Sequence, residues 1–371
     1  MPVKVLIAYL GFGKNKYMSQ TIISGIQQIG IGVSDVQAAF KWYRQNFGMS
    51  VPVFEEAAEA ALMLPYTGGE PRSRHAILAI NMQGGGGFEI WQYTSRTPEA
   101  PKFTPQLGDL GINIAKMKSK NVEATYELFN RRSLNILGGL EKGPDGKPTF
   151  FVKDPWDNIF QIVSSKSWFQ QRKTDLPGGP AGAIIGVTDI DNARTLYSDI
   201  LGYDEVIYEE EGVFDDLKGI PGGDKKVKRI LLRHSKPREG AFSPLLGASE
   251  VELVVATNRT PKKIFEDRFW GDLGFIHLCY DINGMQNLKK QCEAKGFPFT
   301  VDSANSFDMG EAAGHFTYVE DPDGTLIEFV ETHKVPIMKK IGWYLNLQKR
   351  NPKKPLPRFM LKAMGLSEVK D

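Results

Sequence analysis

The chain has 371 residues, and its 46 Lys and Arg nearly balance 44 Asp and Glu, for a formal net charge of +2. That balance gives no basis for a nucleic-acid partner, and the two cysteines, Cys279 and Cys292, form neither a CxxC zinc motif nor a disulfide framework. The N-terminal VLIAYLGFG is too short to span a bilayer and precedes no small-residue cleavage site, so a cytoplasmic protein without an integral membrane segment is expected, long enough for two cores.

After an N-terminal arm (1–24), the first strand places Ile29, Ile31 and Val33 on one face and Gln28, Gly30 and Gly32 on the other, the period of two that marks a half-buried strand. Asp35 stands where a helix N-cap belongs, and AAFKWYRQNFG carries apolar residues at helical spacing up to Gly48. Short strands rich in Ile, Val and Phe follow, the last containing FEIW at 88–91. This first module spans 25–100. A second, 106–170, begins near Asp109 and ends with FFVKDPWDNIFQIV at 150–163.

The pattern then starts again. QQIGIGVSDVQAAFKWYRQNFGM, from Gln27, reappears as AGAIIGVTDIDNARTLYSDILGY, from Ala181, with Asp35, Ala39, Tyr43 and Gly48 answered by Asp189, Ala193, Tyr197 and Gly202. FEIW is answered by VELV at 251–254, GDLG at 108–111 by GDLG at 271–274, and the 150–163 stretch by TYVEDPDGTLIEFV at 317–330. Modules three and four therefore span 178–262 and 271–335, and the chain consists of two halves, 25–175 and 178–335. Each module reads as βαβββ, an α+β unit. A basic tail, 336–371, closes the chain. From Lys334 to Lys362 it belongs to a stretch with nine Lys or Arg and no acidic residue, interleaved with Trp343, Tyr344, Leu345, Phe359, Met360 and Leu361. It either straps across the protein's own surface or presents a basic amphipathic face to an anionic membrane or acidic partner.

Three strands carry an ionisable residue where an apolar one is expected: Glu89 in GGFEIWQ, His277 in GFIHL and Glu328 in TLIEFVE. A carboxylate buried without a partner is costly, and a divalent cation removes that cost for two of them at once. A lone strand histidine is usually structural. At repeat-equivalent depth with Glu89, Glu328 and Gln28, however, His277 favours a metal site. On its strand, Ile276, Leu278, Tyr280 and Ile282 are expected on the apolar face, with His277 beside Phe275 on the other. His315 in EAAGHFTY precedes the last strand and is expected to reach the same cleft, whereas His75 and His234 read as surface histidines. GGGG at 84–87 has no helix after it, so it is not a phosphate loop.

The opening IGIGVSDVQAAFKWYRQNFG, the GFIHL strand and the DPDGTLIEF ending resemble the vicinal oxygen chelate superfamily, which includes glyoxalase I, extradiol dioxygenases and the bleomycin-resistance proteins. The resemblance covers roughly 25–335 and implies curved mixed-sheet half-barrels, each built from two modules. It also implies a metal site that takes one residue from the first strand and one from the last strand of each paired module. The residues at those positions are Gln28 and Glu89, Ile114 and Gln161, Gly182 and Glu252, and His277 and Glu328. Pairing module one with four and two with three gathers Gln28, Glu89, His277 and Glu328 in one site, the ligand set of glyoxalase I, and leaves Glu252 facing Gln161 in a site without histidine. Gly182, where an extradiol dioxygenase has its first histidine, argues against ring cleavage. The uncharged Gly32, Tyr93 and Leu273 argue against glutathione as substrate.

The resemblance thus implies a divalent ion (Ni, Co, Zn, Mn or Fe) that chelates a small substrate through adjacent oxygens. Glu89 or Glu328 would move the proton, with Trp91, Phe275 and His315 around the substrate. The expectation is a glyoxalase-like lyase or isomerase, monomeric or homodimeric. The alternative is a sequestering protein whose carboxylates pair with Arg or Lys around an apolar pocket of Trp91, Phe275 and Trp343. A dioxygenase with an unusual ligand set is the third reading.

Overall fold

The computed structural model describes residues 20–304, 308–309, 312–338 and 343–370, so most of the N-terminal arm and the Trp343 side chain lie outside the described residues. Module one comprises β1 (Ile22–Gly32), α1 (Val36–Phe47), β2 (Val51–Glu59), β3 (Ser73–Ile80) and β4 (Gly87–Tyr93). Module two comprises β5 (Gly111–Ser119), α2 (Val122–Arg131), β6 (Asn135–Lys142), β7 (Pro148–Lys153) and β8 (Ile159–Ser164). Module three comprises β9 (Pro180–Gly186), α3 (Ile190–Tyr197), β10 (Glu205–Gly212), β11 (Val227–Arg233), a short α4 (Ser243–Leu246) and β12 (Glu250–Ala256). Module four comprises β13 (Gly274–Asn283), α5 (Met285–Ala294), β14 (Val301–Asp302), β15 (Asp308–Met309), β16 (Ala312–Glu320) and β17 (Leu326–Thr332). The tail adds β18 (Lys334–Met338), β19 (Trp343–Asn346) and α6 (Arg358–Ala363).

The repeated residues do repeated work. Asp35 and Asp189 accept hydrogen bonds from Ala38 N (2.9 Å) and Asn192 N (2.7 Å), capping α1 and α3. Gly48 ends α1 at φ 64°, a left-handed position that favours glycine. The two repeated tyrosines donate to the aspartates of the two Asp-Pro turns: Tyr43 to Asp154 (2.5 Å) and Tyr197 to Asp321 (2.9 Å). Each bond joins the two modules of one half.

The sheets join modules across the halves instead. One runs β14-β16-β17-β13-β1-β4-β3-β2, with β15 beside β16, and so pairs module four with module one. The other runs β10-β11-β12-β9-β5-β8-β7-β6 and pairs three with two. Both are curved, mixed half-barrels whose first strands meet antiparallel at the centre, β1 on β13 and β5 on β9. One continuous core takes residues from α1, α2, α3 and α5 and from both sheets, including Ile29, Tyr43, Phe129, Phe160, Leu196, Leu253, Leu288 and Phe329. Burying the helix-side face of each strand against that core leaves the alternate residues of every strand to line a cup, one per sheet.

The GGGG stretch has a packing role. A Cβ at Gly84 would stand 1.6 Å from Gly178 O and one at Gly85 1.7 Å from Leu245 O, so the loop crosses two other backbones where no side chain fits. Among the described residues no helix is long and apolar enough to cross a membrane.

Candidate metal centre

In the cup of the first sheet, the strand alternation turns four side chains to one point. On β4, Phe88 and Ile90 enter the main core, and Glu89 faces the cup with Trp91 and Tyr93. On β17, Ile327 and Phe329 enter the core and Glu328 faces the cup. On β1, Ile29 and Ile31 are core residues, leaving Gln28 and Gly30 on the cup side. His277 lies opposite Gly30 on β13.

The four converge. His277 Nε2 stands 3.0 Å from Glu328 Oε2 and 3.4 Å from Glu89 Oε2. Gln28 Nε2 lies 3.3 Å from Glu89 Oε2 and 3.4 Å from Glu328 Oε2, across 61 and 300 residues of sequence. Ligand atoms of Glu89, His277 and Glu328 all fall within 4.8 Å of one another. Despite these short separations, neither ring nitrogen of His277 meets hydrogen-bonding geometry, and Gln28 Oε1 also has no partner, though all are buried. The imidazole thus lies close to both carboxylates without an aligned hydrogen bond, while Gln28 Nε2 donates to both. Buried polar atoms without partners call for an explanation, and a shared cation is one. The donor set fits it: two carboxylates, an imidazole and an amide whose oxygen takes the place of its nitrogen by a flip.

Glu89 shows the strain of this crowding. Burial, and then the neighbouring charge of Glu328, push its carboxyl up to about 7. Burial opposes protonation of His277, but the charges of Glu328 and Glu89 outweigh it and raise the imidazole above its ordinary value.

Two neighbours hold His277 in place. Its ring lies parallel to that of Trp270 (centroids 6.3 Å, 11°) and edge-on to Tyr318 (5.5 Å, 82°). The other contact is an absence: a Cβ on Gly30 would lie 2.4–2.8 Å from three atoms of the imidazole. Gly30 is where the ring lies against the backbone of β1. Trp270 belongs to a loop with no periodicity, and nothing in the strand pattern pointed to it or to Tyr318. Gly30 was readable only as a small residue on the correct face.

Two of the three expected substrate contacts fall elsewhere, and the third is walled in. Phe275 packs in the main core, edge-to-face on Phe160 (5.4 Å), because the β1–β13 register slips between Gly30 and Ile31. That bulge sends Phe275 to the core and Ile276 to the cup, the reverse of strict alternation. His315 shares its face of β16 with Thr317 and Val319, away from Tyr318, and its Nε2 meets Asp302 Oδ1 at 2.6 Å. Trp91 is in the correct cup but wholly buried, 4.7 Å from Trp270, and forms the wall behind that residue.

Glu252 also differs from expectation. It belongs to the second sheet, apart from His277, but it faces two cations. Arg229 Nη2 lies 2.6 Å and Lys116 Nζ 3.0 Å from its carboxylate. Lys116 pairs in register with Gln161, as Cys279 does with Glu328, so it extends the cup two residues beyond Ile114.

Residues 25–162 match the family model of the Glyoxalase/Bleomycin resistance protein/Dioxygenase superfamily. The match places modules one and two in that superfamily. Among solved structures it is similar to glyoxalase I from Zea mays (12% identity, TM-score 0.50, 84% of this chain and 92% of that one). A glyoxalase I mutant from the same plant aligns at 13% identity and TM-score 0.51, over 83% and 93%. A Bacillus subtilis protein solved as a candidate dioxygenase aligns at 12% identity and TM-score 0.54, over 94% and 97%. Identities this low speak for the fold alone. No curated protein matches by sequence.

Proposed function

We propose that this superfamily member is a metal-dependent lyase or isomerase that moves a proton on a small substrate with adjacent oxygens. The observation that carries the reading is the convergence of Gln28, Glu89, His277 and Glu328 from two modules at opposite ends of the chain, with His277 and Gln28 Oε1 buried and unpartnered. Building one donor set across 300 residues of sequence, while the twin set is filled with ion pairs, is hard to explain by packing alone.

These four residues would hold the ion. Bound there, a divalent cation supplies Lewis-acid polarisation of a carbonyl oxygen. Glu89 and Glu328 face the same point from opposite edges of the site, so one carboxylate accepts a proton from carbon beside the carbonyl and either returns it. Trp270 and Tyr318 pack against the imidazole and fix its orientation. A single histidine with two carboxylates suits proton transfer better than oxygen activation, which favours the lyase or isomerase over the dioxygenase reading.

The raised His277 favours one second reading: imidazolium paired with Glu89 and Glu328, no ion, and a sequestering cup walled by aromatic residues. The readings separate by elemental analysis of the purified protein and by thermal unfolding with and without EDTA. A bound ion stabilises by mass action, so the metal reading expects a fall in Tm with EDTA and recovery with one divalent ion. Solvent-deuterium exchange into α-hydroxyketones then tests the chemistry. Metal-free protein that gains neither stability nor exchange activity with any divalent ion would end the proposal.

A further inference from the structure

The tail packs on the body of the protein. Arg172 grips the Glu368 carboxylate with both terminal nitrogens (2.6 and 2.9 Å), Ser50 Oγ donates to it (2.9 Å), and Val369 N donates to Ser50 O (2.8 Å). Leu356 and Leu361 are buried in a cluster with Val51, Leu78, Ile80 and Leu245, so they tie module one to module three. This is the strap reading of the basic segment.

The strap accounts for only one face. Along α6 and the turn that continues it to Ser367, Met360, Leu361 and Met364 face inward. Phe359 and Leu366 face outward and are 72% and 88% exposed, the two highest values among the exposed large hydrophobics of the described residues. Lys362 lies between them at helical spacing and is also exposed. A helical segment that is apolar on both faces has a second surface to cover. From Lys334 to Ser367 the sequence has nine Lys or Arg and no Asp or Glu. Of these, Lys349, Lys353, Lys354 and Arg358 precede the apolar pair in sequence and are exposed; Lys353 also pairs with Glu239 (3.0 Å) and Arg358 lies over Phe169.

We infer that the outward face of α6 is a peripheral docking surface for an anionic lipid bilayer. Phe359 and Leu366 enter the headgroup boundary, and the surrounding cations meet acidic headgroups. Interfacial helices use this pairing of apolar tips with a Lys/Arg-rich rim. A protein partner is less well matched, because lysine is depleted at protein interfaces and this rim is rich in it.

The test is co-sedimentation of the full-length protein with vesicles of phosphatidylcholine alone or with added phosphatidylserine. Binding is expected only with the anionic lipid, and it should weaken as salt screens the cations. The double substitution Phe359→Ser, Leu366→Ser should lower binding at least about tenfold, because two apolar anchors are lost. Both side chains are exposed, so circular dichroism and Tm should stay unchanged. No binding to anionic vesicles at low salt would overturn the inference, as would binding that the double variant leaves intact. A concentration-dependent dimer that the double variant abolishes would give the face to a second copy of the chain. Equal binding to single-stranded RNA, insensitive to the double variant, would assign the cations to nucleic acid; either result replaces the lipid.

Discussion

The two cups descend from the same repeat and solve the same problem in opposite ways. In the first, Glu328 and the partly buried Glu89 meet one histidine and one amide, and the carboxylates compete for too little positive charge. In the second, Glu250 and Glu252 are buried with Lys116, Arg229 and Arg233, each cation within 3.0 Å of a carboxylate. Burial alone would raise Glu252, yet Arg229 and Lys116 hold it down at about 2. Glu89, the equivalent residue, sits at about 7. The difference rests on what faces each carboxylate: where the second cup has Lys116, the first has Cys279, a thiol that burial keeps well above its ordinary value and hence neutral. A cup that supplies its own cation has no need of a metal. A cup that lacks one is left with a cation-shaped deficit.

The widest break in this comparison comes from His277→Ala. Removing the nitrogen donor should abolish metal binding and any metal-dependent activity, as read by elemental analysis, with the fold preserved by far-UV circular dichroism. Retention of a stoichiometric ion would show that Gln28, Glu89 and Glu328 hold it without the imidazole. Glu252→Ala should leave the metal in place and strike stability instead. It strips Arg229 and Lys116 of a buried counter-charge, a loss of about 3–5 kcal/mol in denaturant unfolding. Metal lost with Glu252 would mean that the cups are not independent.

Gly30→Ala sharpens the contrast from the backbone side. The added methyl would meet the imidazole at 2.4–2.8 Å, so His277 must turn away from the carboxylates. A displaced ligand should weaken metal affinity by about 10–100-fold without unfolding the protein, judging by what loss of ligand-orienting contacts does elsewhere. Gly182→Ala, at the second-cup counterpart of Gln28, tests the backbone alone, because its Cβ would meet Glu250 O at 1.7 Å, and it should destabilise without any effect on metal. Equal metal affinity in Gly30→Ala and the parent would remove Gly30 from the site.

Much of this was legible in the sequence because a repeat constrains register. The Asp caps, the Tyr-to-Asp bonds and the strand-end carboxylates recur at fixed offsets, and those offsets alone set Gln28, Glu89, His277 and Glu328 at one depth. The module pairing followed from the family resemblance together with where good ligands gathered. Alternation failed where the backbone departs from it. The bulge at Gly30/Ile31 exchanged the faces of Phe275 and Ile276, and nothing in IHLCYDI signals an extra residue. His315 misses the cleft because Phe316 and Tyr318 take the cup side of β16, which leaves His315 on the face of Val319. Lys116 and Lys118 were hidden differently: buried lysines look like solvent-facing ones until their partners, here far along the chain, are known.

That last pair gives the smallest effect, and the one with the clearest sign. Lys116 and Lys118 lie two apart on one face of β5, both fully buried. Burial pushes both ammonium groups down. For Lys116, Glu250 and Glu252 outweigh burial and hold it above the ordinary lysine value. Lys118 donates only to two backbone carbonyls, Gly84 O (2.6 Å) and Leu246 O (2.8 Å), and falls to about 7. Above pH 7 the native state then sheds the Lys118 proton while the unfolded chain keeps it up to about 10.4. The unfolded state holds more protons across that window, so stability should rise with pH from about 7, by at most about 1.4 kcal/mol per unit from this group. Below about 7 both states are protonated and the contribution is flat. Lys118→Met should remove the rise, whereas Lys116→Met should leave it and instead destabilise at every pH, because Glu250 and Glu252 lose a shared cation. Paired urea titrations of the three proteins at pH 7 and 9 decide the matter: a Lys118→Met profile with the parent's slope would mean that the two carbonyls keep Lys118 charged in the native state.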